Sequence, residues 1–229
     1  MLIEPEAMYH LRDYAIQHAN MYAYILTYDE EVLKSCSNAR FYVYGTTWTY
    51  RHEWEAMNTS AKQFAVSCVV GSKRVTDGHV FRQELYRKQH KCPIPNTFFV
   101  GQSASLPRPR ENPDLGERKN ALFATFQYSF VIENSRQANY FTEKLCDCLI
   151  TKTIPIYYGC PNIAKFFDTT GWIILDTPNP ATAFNKLAAL TPTHYAEHLA
   201  VIEKNFETVQ QYLDVDENLN RALREIPDY

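Results

Sequence analysis

The chain has 229 residues, of which 45% are hydrophobic and 21% are charged. These proportions are close to those of globular proteins and exclude a disordered or collagen-like polypeptide. With 23 Lys and Arg against 26 Asp and Glu, the formal net charge is −3, and the sequence lacks the dense basic block that is typical of a general nucleic-acid binder. The length fits one large domain or two small ones.

The sequence contains no run of about 18 apolar residues, and its N-terminus does not show a basic segment followed by an apolar one. It therefore predicts neither a signal peptide nor a membrane span. The six cysteines are irregularly spaced in a chain large enough to fold without disulfides, which favours reduced thiols. We expect a cytoplasmic location, in a bacterium or in the host cell of a virus.

Short aromatic and β-branched runs alternate with longer helical patterns. Strands are predicted at 22–27, 41–44, 64–70, 97–100, 128–133, 154–158 and 172–175. Helices are predicted at about 6–20, 29–36, 78–90, 117–126, 140–151, 161–167, 180–190 and 192–213. Several strands are continuous apolar runs of the kind that is buried on both faces, so the alternation predicts an α/β protein with doubly wound parallel sheets.

Two irregular stretches interrupt this pattern. Residues 45–60 contain Trp48 and Trp54 and are predicted to cross between two α/β lobes, with a boundary near residue 60. Residues 101–116 carry three prolines among charges, which predicts a surface loop that borders a site or a partner. The predicted organisation is an N-terminal α/β lobe at 1–60, a Rossmann-like domain at 61–190 and a helical tail at 191–229.

Residues 128–163 contain the most informative group of polar side chains. The predicted strand ends in Glu133 and Asn134, and the next helix is predicted to open near Tyr140. Ligands of open α/β sheets bind beyond the carboxyl ends of the strands, where helix N-termini attract anions. Tyr140, Glu143 and Lys144 have the spacing i, i+3 and i+4, which predicts that they share one helical face.

This combination of side chains suits a sugar nucleotide. Lys144 adds a positive charge for a phosphate, Glu143 can accept hydrogen bonds from a sugar diol, and the Tyr140 phenol can reach a phosphate or sugar oxygen. A structural interpretation is also open, because Glu143 can cap the helix, Lys144 can be a solvated cation and Tyr140 can be a packing aromatic.

The same segment resembles the donor-binding core of the family 10 glycosyltransferases, the α-1,3/4-fucosyltransferases. The residues that carry the resemblance are Phe130, Glu133-Asn134, Tyr140-Phe141-Thr142-Glu143-Lys144, Ile154-Pro155-Ile156 and Tyr157-Tyr158-Gly159-Cys160-Pro161. The resemblance implies a GT-B fold, in which a Rossmann-type donor domain at 61–190 faces an acceptor-side lobe that is reduced here to residues 1–60. It also implies that Asn134, Tyr140, Glu143 and Lys144 contact the sugar, ribose and diphosphate of a GDP-sugar.

Residues 64–86 resemble the family's strand-loop-helix, in which an arginine near the helix start binds the diphosphate. Ungapped pairing places His79 at that position, and Arg82 lies one turn further along the same helical face. A histidine is only partly protonated near neutral pH, so Arg82 is an alternative source of charge, and Lys73 and Arg74 are further candidates.

At the N-terminus, Leu2-Ile3-Glu4-Pro5 resembles the family stretch close to the glutamate that acts as the base. An inverting transferase needs a group that accepts the proton of the acceptor hydroxyl, and Glu4 is our candidate for this catalytic role. The alternative is that Glu4 simply marks a helix start before a proline.

The sequence predicts no metal site and no cofactor other than the donor substrate. Cys146, Cys148 and Cys160 lack the spacing of zinc ligands, and the segment with Cys146 and Cys148 is predicted to form a buried helix face. Asp214-Val215-Asp216 has the form of a metal-binding D-x-D motif but follows a helical pattern, so we interpret it as a surface turn. His194 and His198 lack the glutamate of a metalloprotease helix.

Three functional hypotheses follow. The first is a metal-independent inverting glycosyltransferase that moves fucose from GDP-fucose to a hydroxyl of a glycan. The second is a transferase of the same architecture that uses another GDP- or UDP-sugar, because His79 departs from the family pattern. The third is a non-catalytic module that binds nucleotide sugars, or a chain that completes its reduced lobe with a partner or a second copy.

Overall fold

The computed structural model describes residues 8–49, 51–55, 62–100 and 122–224. In its first part, helices and two paired strands form an N-terminal lobe. The elements are α1 Met8–Gln17, β1 Ile25–Thr27, α2 Glu30–Ser35, β2 Ala39–Phe41 and α3 Arg51–Glu55. The two strands are parallel. Helix α2 begins after Asp29 because this carboxylate accepts hydrogen bonds from the amides of Glu31 and Val32.

A five-stranded parallel sheet forms the larger part of the structure. Its strands are β3 Gln63–Val70, β4 Asn96–Val100, β5 Phe126–Ile132, β6 Ile154–Tyr158 and β7 Ile173–Ile174. The spatial order is β4-β3-β5-β6-β7. The chain therefore moves outward from β3 to β4 and then returns to the other side of β3, which makes a topological switch point between β3 and β5. The predicted α/β class with a parallel sheet is confirmed.

Helices cover both faces of this sheet. Helices α4 Asp77–Arg87 and α6 Pro180–Leu187 pack on one face around Phe130. Helices α5 Glu143–Ile150 and α8 Leu199–Val209 pack on the other face, next to Val131. Burial on both sides explains why β6 is a continuous apolar run and β5 is largely apolar.

The helix predicted at 117–126 is wrong in its described part. Residues 122–125 form a turn, and β5 begins at Phe126. The buried amine of Lys62 donates to the carbonyl groups of Phe123 and Phe126 at 3.0 and 3.1 Å, which draws this segment to the start of β3. Burial lowers the pKa of Lys62 to about 7. Helical periodicity could not reveal this, because Lys62 lies 61 residues from Phe123.

Other predicted elements are shorter or divided. The helix predicted at 161–167 is only a 3-10 turn at Ile163–Lys165. The helix predicted at 192–213 is split into α7 His194–Glu197, α8 and a 3-10 turn at Gln210–Tyr212. The split falls at His198, whose backbone leaves the helical region where its ring packs against Gly171.

The C-terminal helices pack against both the large sheet layer and the N-terminal lobe. α8 packs against α5, with Val209 in the core of that face. Helix α9 Val215–Arg224 lies against the N-terminal lobe, where Ala222 joins a cluster with Leu26 and Tyr42. Within the residues that the structure describes, each helix is too short or too polar to cross a bilayer.

Candidate functional site

A cavity of about 640 Å³ opens at the carboxyl ends of β3 and β5, at the topological switch point. Seven of the predicted site residues line it: Lys73, His79, Arg82, Asn134, Tyr140, Glu143 and Lys144. Glu4 lies outside the described residues. Residues from four separate segments of the sequence thus meet at the place where open α/β sheets bind their ligands.

The first turn of α4 packs directly on the end of β5. The amide of Gly78 donates to the carbonyl oxygen of Asn134 at 3.2 Å. A β-carbon at Gly78 would overlap the carbonyl oxygen of Glu133 and lie 2.8 Å from that of Asn134. Only glycine therefore allows α4 to start so close to the strand end.

His79 is buried and stabilises the start of α4. Its Nδ1 atom lies 2.7 Å from the hydroxyl oxygen of Thr76 and accepts a hydrogen bond from the Thr76 amide at 3.3 Å, which completes a capping box. The imidazole also lines the cavity. His79 thus contributes to a helix start, in the position where the family resemblance implies a diphosphate contact.

Arg82 is almost fully buried at the cavity wall. Its guanidinium donates to the carbonyl oxygen of Ile132 and, at 2.8 Å, to Oδ1 of Asn134. Burial lowers the pKa of Arg82, whereas nearby acidic groups oppose this effect. Arg82 thus fixes the end of β5 and the Asn134 side chain, and brings a positive charge to the cavity.

The loop between β3 and α4 is held by Gln83, which sequence analysis missed. Gln83 is fully buried, and its Nε2 donates to the carbonyl groups of Ser72 and Lys73 at 3.1 and 3.0 Å, while its Oε1 accepts from Arg74 at 2.9 Å. Lys73 is exposed at the cavity rim. The sequence does not reveal this role, because a glutamine within a helical segment carries no pattern that marks it as buried.

The connection from β5 to α5 is anchored by Glu133, whose side chain is fully buried. Its two carboxylate oxygens accept hydrogen bonds from the amide and the hydroxyl of Thr142 at 2.8 and 2.7 Å. Burial raises the pKa of Glu133, and Lys144, whose Nζ lies 3.8 Å away, acts in the opposite direction.

Helix α5 begins at Glu143 and not near Tyr140, so the predicted helix start is wrong. Thr142 caps the helix by accepting a hydrogen bond from the Lys144 amide, and Asn139 has a left-handed backbone with φ of 61°. Tyr140 therefore does not share a helical face with Glu143 and Lys144. Its ring lies almost fully buried against Tyr28 of the N-terminal lobe, with centroids 5.1 Å apart, and borders the cavity.

Glu143 and Lys144 form the start of α5 at the cavity. Lys144 Nζ donates to Oε1 of Glu143 at 3.0 Å and to the Thr142 hydroxyl at 3.1 Å. The Lys144 side chain is 30% exposed, so it can reach a ligand from this position. A cation at a helix N-terminus adds to the positive end of the helix dipole, and this arrangement favours a bound anion.

Paired asparagines fix the same connection from its other side. Asn162 accepts from the Asn139 amide and donates to the Asn139 side chain, both at 2.8 Å. Asn139 in turn donates to the carbonyl oxygen of Tyr28 at 3.3 Å. Asparagine tolerates the left-handed backbone that Asn139 adopts. This pairing could not be predicted from local pattern, because Asn139, Asn162 and Tyr28 lie in three separate segments.

Asp147 connects α5 to the N-terminal lobe. Its Oδ1 accepts hydrogen bonds from the Thr47 hydroxyl at 2.6 Å and from the Trp48 amide at 2.9 Å. The prediction that Cys146 and Cys148 lie on a buried helix face is confirmed. The role of the aspartate between them was missed because Thr47 lies 100 residues away in the sequence.

Among the described residues, no group of three or more His, Cys, Asp or Glu side chains is arranged to hold a metal ion.

The acidic and histidine motifs noted in the sequence make local contacts. Asp214 of the D-x-D motif accepts a hydrogen bond from the Glu217 amide at 3.0 Å and so starts α9. His194 lies 3.0 Å from the Tyr128 hydroxyl, and His198 lies 2.7 Å from the His194 carbonyl oxygen.

Comparison with known proteins identifies the family. Residues 59–223 match the family model described as glycosyltransferase family 10 (fucosyltransferase) C-term. The chain belongs to glycosyltransferase family 10. The resemblance on which the sequence interpretation relied is thereby confirmed, and the matched range includes all seven predicted residues that line the cavity.

A solved structure shows the fold of this family 10 chain. An α1,3-fucosyltransferase crystallised with GDP aligns with a TM-score of 0.55 and 17% identity, over 86% of this chain and 71% of that one. The likeness supports the predicted GT-B architecture, with a Rossmann-type parallel sheet beside a smaller α/β lobe.

Curated relatives match a part of the family 10 chain. The α-(1,3)-fucosyltransferase FucT of Helicobacter pylori is 30% identical over 90 residues, which are 39% of this chain and 19% of that protein. GDP-fucose protein O-fucosyltransferase 3 of Gallus gallus is 26% identical over 111 residues, which are 48% of this chain and 21% of that protein. The matches thus span about a fifth of each relative.

Proposed function

We propose that this chain is a metal-independent inverting glycosyltransferase that moves fucose from GDP-fucose to a hydroxyl group of a glycan. The observation that carries the proposal is the cavity at the switch point, where Lys73, Arg82 and Lys144 meet beside the N-termini of α4 and α5. Family membership and the relatives that act on GDP-fucose support the same donor.

Positive charge at the cavity suits the diphosphate of a nucleotide sugar. In the proposed complex, the Lys144 side chain binds the diphosphate at the start of α5, and Arg82 adds charge from the wall. Asn134, Glu143 and Tyr140 supply hydrogen-bonding groups for ribose and sugar, and His79 and Lys73 complete the donor site. These cations and helix dipoles neutralise the leaving diphosphate, which is the task that a metal ion performs in other transferases.

Transfer then proceeds by in-line displacement. The acceptor oxygen attacks the anomeric carbon from the side opposite the diphosphate, and the carbon–oxygen bond to GDP breaks with its electron pair on the departing phosphate oxygen. The proton of the acceptor hydroxyl passes to a carboxylate, for which we propose Glu4. Configuration at the anomeric carbon is inverted.

Calorimetric titration of the donor tests this proposal. We expect the chain to bind GDP-fucose and GDP more tightly than GDP-mannose, UDP-glucose and UDP-galactose, and to do so equally with and without EDTA. A buried pocket that hydrogen-bonds one base or sugar penalises a mismatch strongly. Preference for another nucleotide sugar would contradict the fucose assignment, and binding abolished by EDTA would contradict metal independence.

Glu4→Gln tests the proposed base. The substitution keeps the size of the side chain but removes its ability to accept a proton, so we expect kcat to fall by about 100-fold or more while the Kd of GDP-fucose stays unchanged. Glu207→Gln, at an exposed position on α8, is the matched control. A change confined to donor affinity would show that Glu4 is not the base.

A further inference from the structure

Trp48 lies at the cavity with 56% of its surface exposed. It belongs to the connection between β2 and α3, so it reaches the cavity from the N-terminal lobe, whereas the residues assigned to the donor come from the large sheet and its helices. Tryptophan is a costly residue to leave in water, because it exposes more apolar surface than other side chains. Its position therefore points to a ligand contact.

The backbone at Trp48 is rigidly held although its indole is exposed. The Trp48 amide and the Thr47 hydroxyl both donate to Oδ1 of Asp147, at 2.9 and 2.6 Å. The Thr49 amide donates to the Thr47 hydroxyl oxygen at 3.1 Å, and Thr49 is buried. Asp147 itself is 3% exposed, and burial of a carboxylate is unfavourable unless hydrogen bonds compensate it. These bonds fix the backbone that carries the exposed indole ring.

Side chains of opposite charge line the cavity. Lys144 lies in the first turn of α5, and Asp147 lies three residues further along the same helix, about 4.5 Å along its axis. Arg82 and Lys144 stand at the carboxyl end of β5 and at the start of α5, whereas the backbone at Trp48 is bonded to the carboxylate of Asp147. A diphosphate is favoured beside the two cations and disfavoured beside the carboxylate.

We propose that the indole of Trp48 is the surface on which the acceptor sugar stacks, and that Asp147 is a positioning residue for this contact. A pyranose ring has an apolar face of C–H groups that packs on an aromatic ring, and the indole N–H can donate to one of its hydroxyl groups. This inference rests on the proposed transferase function and adds to it the side of the cavity from which the acceptor approaches.

The test compares Trp48→Ala and Trp48→Phe with Tyr14→Ala, an exposed aromatic of α1. Transfer is measured with the oligosaccharide that gives the wild-type chain its highest turnover on an array of galactose, glucose and N-acetylglucosamine glycans. We expect Trp48→Ala to raise the acceptor KM by about tenfold or more, and Trp48→Phe to raise it less. The Kd of GDP-fucose and the rate of its hydrolysis without acceptor stay within about twofold of wild type.

Asp147 is tested by its conservative variant. Asp147→Asn retains the oxygen that accepts from Thr47 and Trp48, so its acceptor KM stays near that of wild type, whereas Asp147→Ala reproduces the KM increase of Trp48→Ala. The hydrolysis rate of GDP-fucose reports whether each variant keeps a folded donor site.

Two results would overturn the inference while leaving the proposed function intact. An unchanged acceptor KM in Trp48→Ala would remove the stacking role, and a weaker Kd for GDP in that variant would assign the indole to the nucleobase. A wild-type chain that binds no nucleotide sugar, or transfers to no glycan on the array, would overturn the transferase function itself and this inference with it.

Discussion

Gly78→Ala is expected to lower the free energy of unfolding by about 3 kcal/mol or more. The added β-carbon would overlap the carbonyl oxygen of Glu133 and approach that of Asn134 to 2.8 Å, and both obstacles are backbone atoms at the end of a central strand. Alanine favours a helix over glycine by about 1 kcal/mol, which is too little to offset this overlap. Urea denaturation followed by circular dichroism measures the change.

Gly71→Ala is the matched control, because a β-carbon at Gly71 meets no atom within 4 Å. We expect its free energy of unfolding to stay within about 0.5 kcal/mol of wild type. Equal losses in both variants would show that the close approach of α4 to β5 is not what Gly78 provides. In the Gly78→Ala protein that remains folded, donor affinity should fall as well, since His79 and Arg82 follow on the same helix.

Lys144→Ala is expected to weaken the binding of GDP-fucose and of GDP by about 10- to 100-fold. A charge-assisted hydrogen bond to a phosphate contributes about 1.5–3 kcal/mol, and Lys144 stands at a helix N-terminus where the dipole adds to its charge. Its removal also leaves Glu143 and the buried Glu133 without their shared cation, which makes the site more negative. Calorimetric titration at constant ionic strength measures both affinities.

Two variants make this experiment specific. Lys144→Arg keeps the charge and should recover a large part of the affinity, whereas Lys88→Ala removes a lysine from the far end of α4 and should have no effect. The free energy of unfolding is measured for each protein, because loss of a partner for Glu133 also reduces stability. Full donor affinity in a folded Lys144→Ala protein would contradict the assignment of the diphosphate site.

Much of the large sheet could be predicted from the sequence because its strands are buried on both faces. β3 to β6 appear as largely apolar segments, and their predicted bounds lie within about two residues of those observed. The helix predicted at 117–126 failed because Lys62 draws its described part into the sheet, a contact that periodicity does not encode. Local sequence pattern therefore predicts the elements that are defined by burial, but not those that depend on polar contacts between distant residues.

In the candidate site, too, local motifs predict some features, whereas contacts between distant residues determine others. The positions of Asn134, Glu143 and Lys144 at the cavity could be predicted from the motif, since the carboxyl end of a strand and the start of the next helix must lie together. The residue at which α5 starts could not be predicted, because it depends on the hydrogen bonds between Thr142 and the buried Glu133. The contact between Asp147 and Thr47 joins two lobes, and no local sequence pattern predicts it.

The return of α9 to the N-terminal lobe has a consequence for folding during synthesis. Ala222 packs on Leu26 and Tyr42. Leu26 in the first strand therefore gains this contact only after about 200 further residues have been synthesised. The large sheet is complete in sequence before α9 is made, and contacts between nearby segments form faster than those that close long loops. We therefore expect the large sheet to fold on the ribosome while the apolar side of β1 and β2 stays uncovered, which makes this small sheet the part most in need of a chaperone.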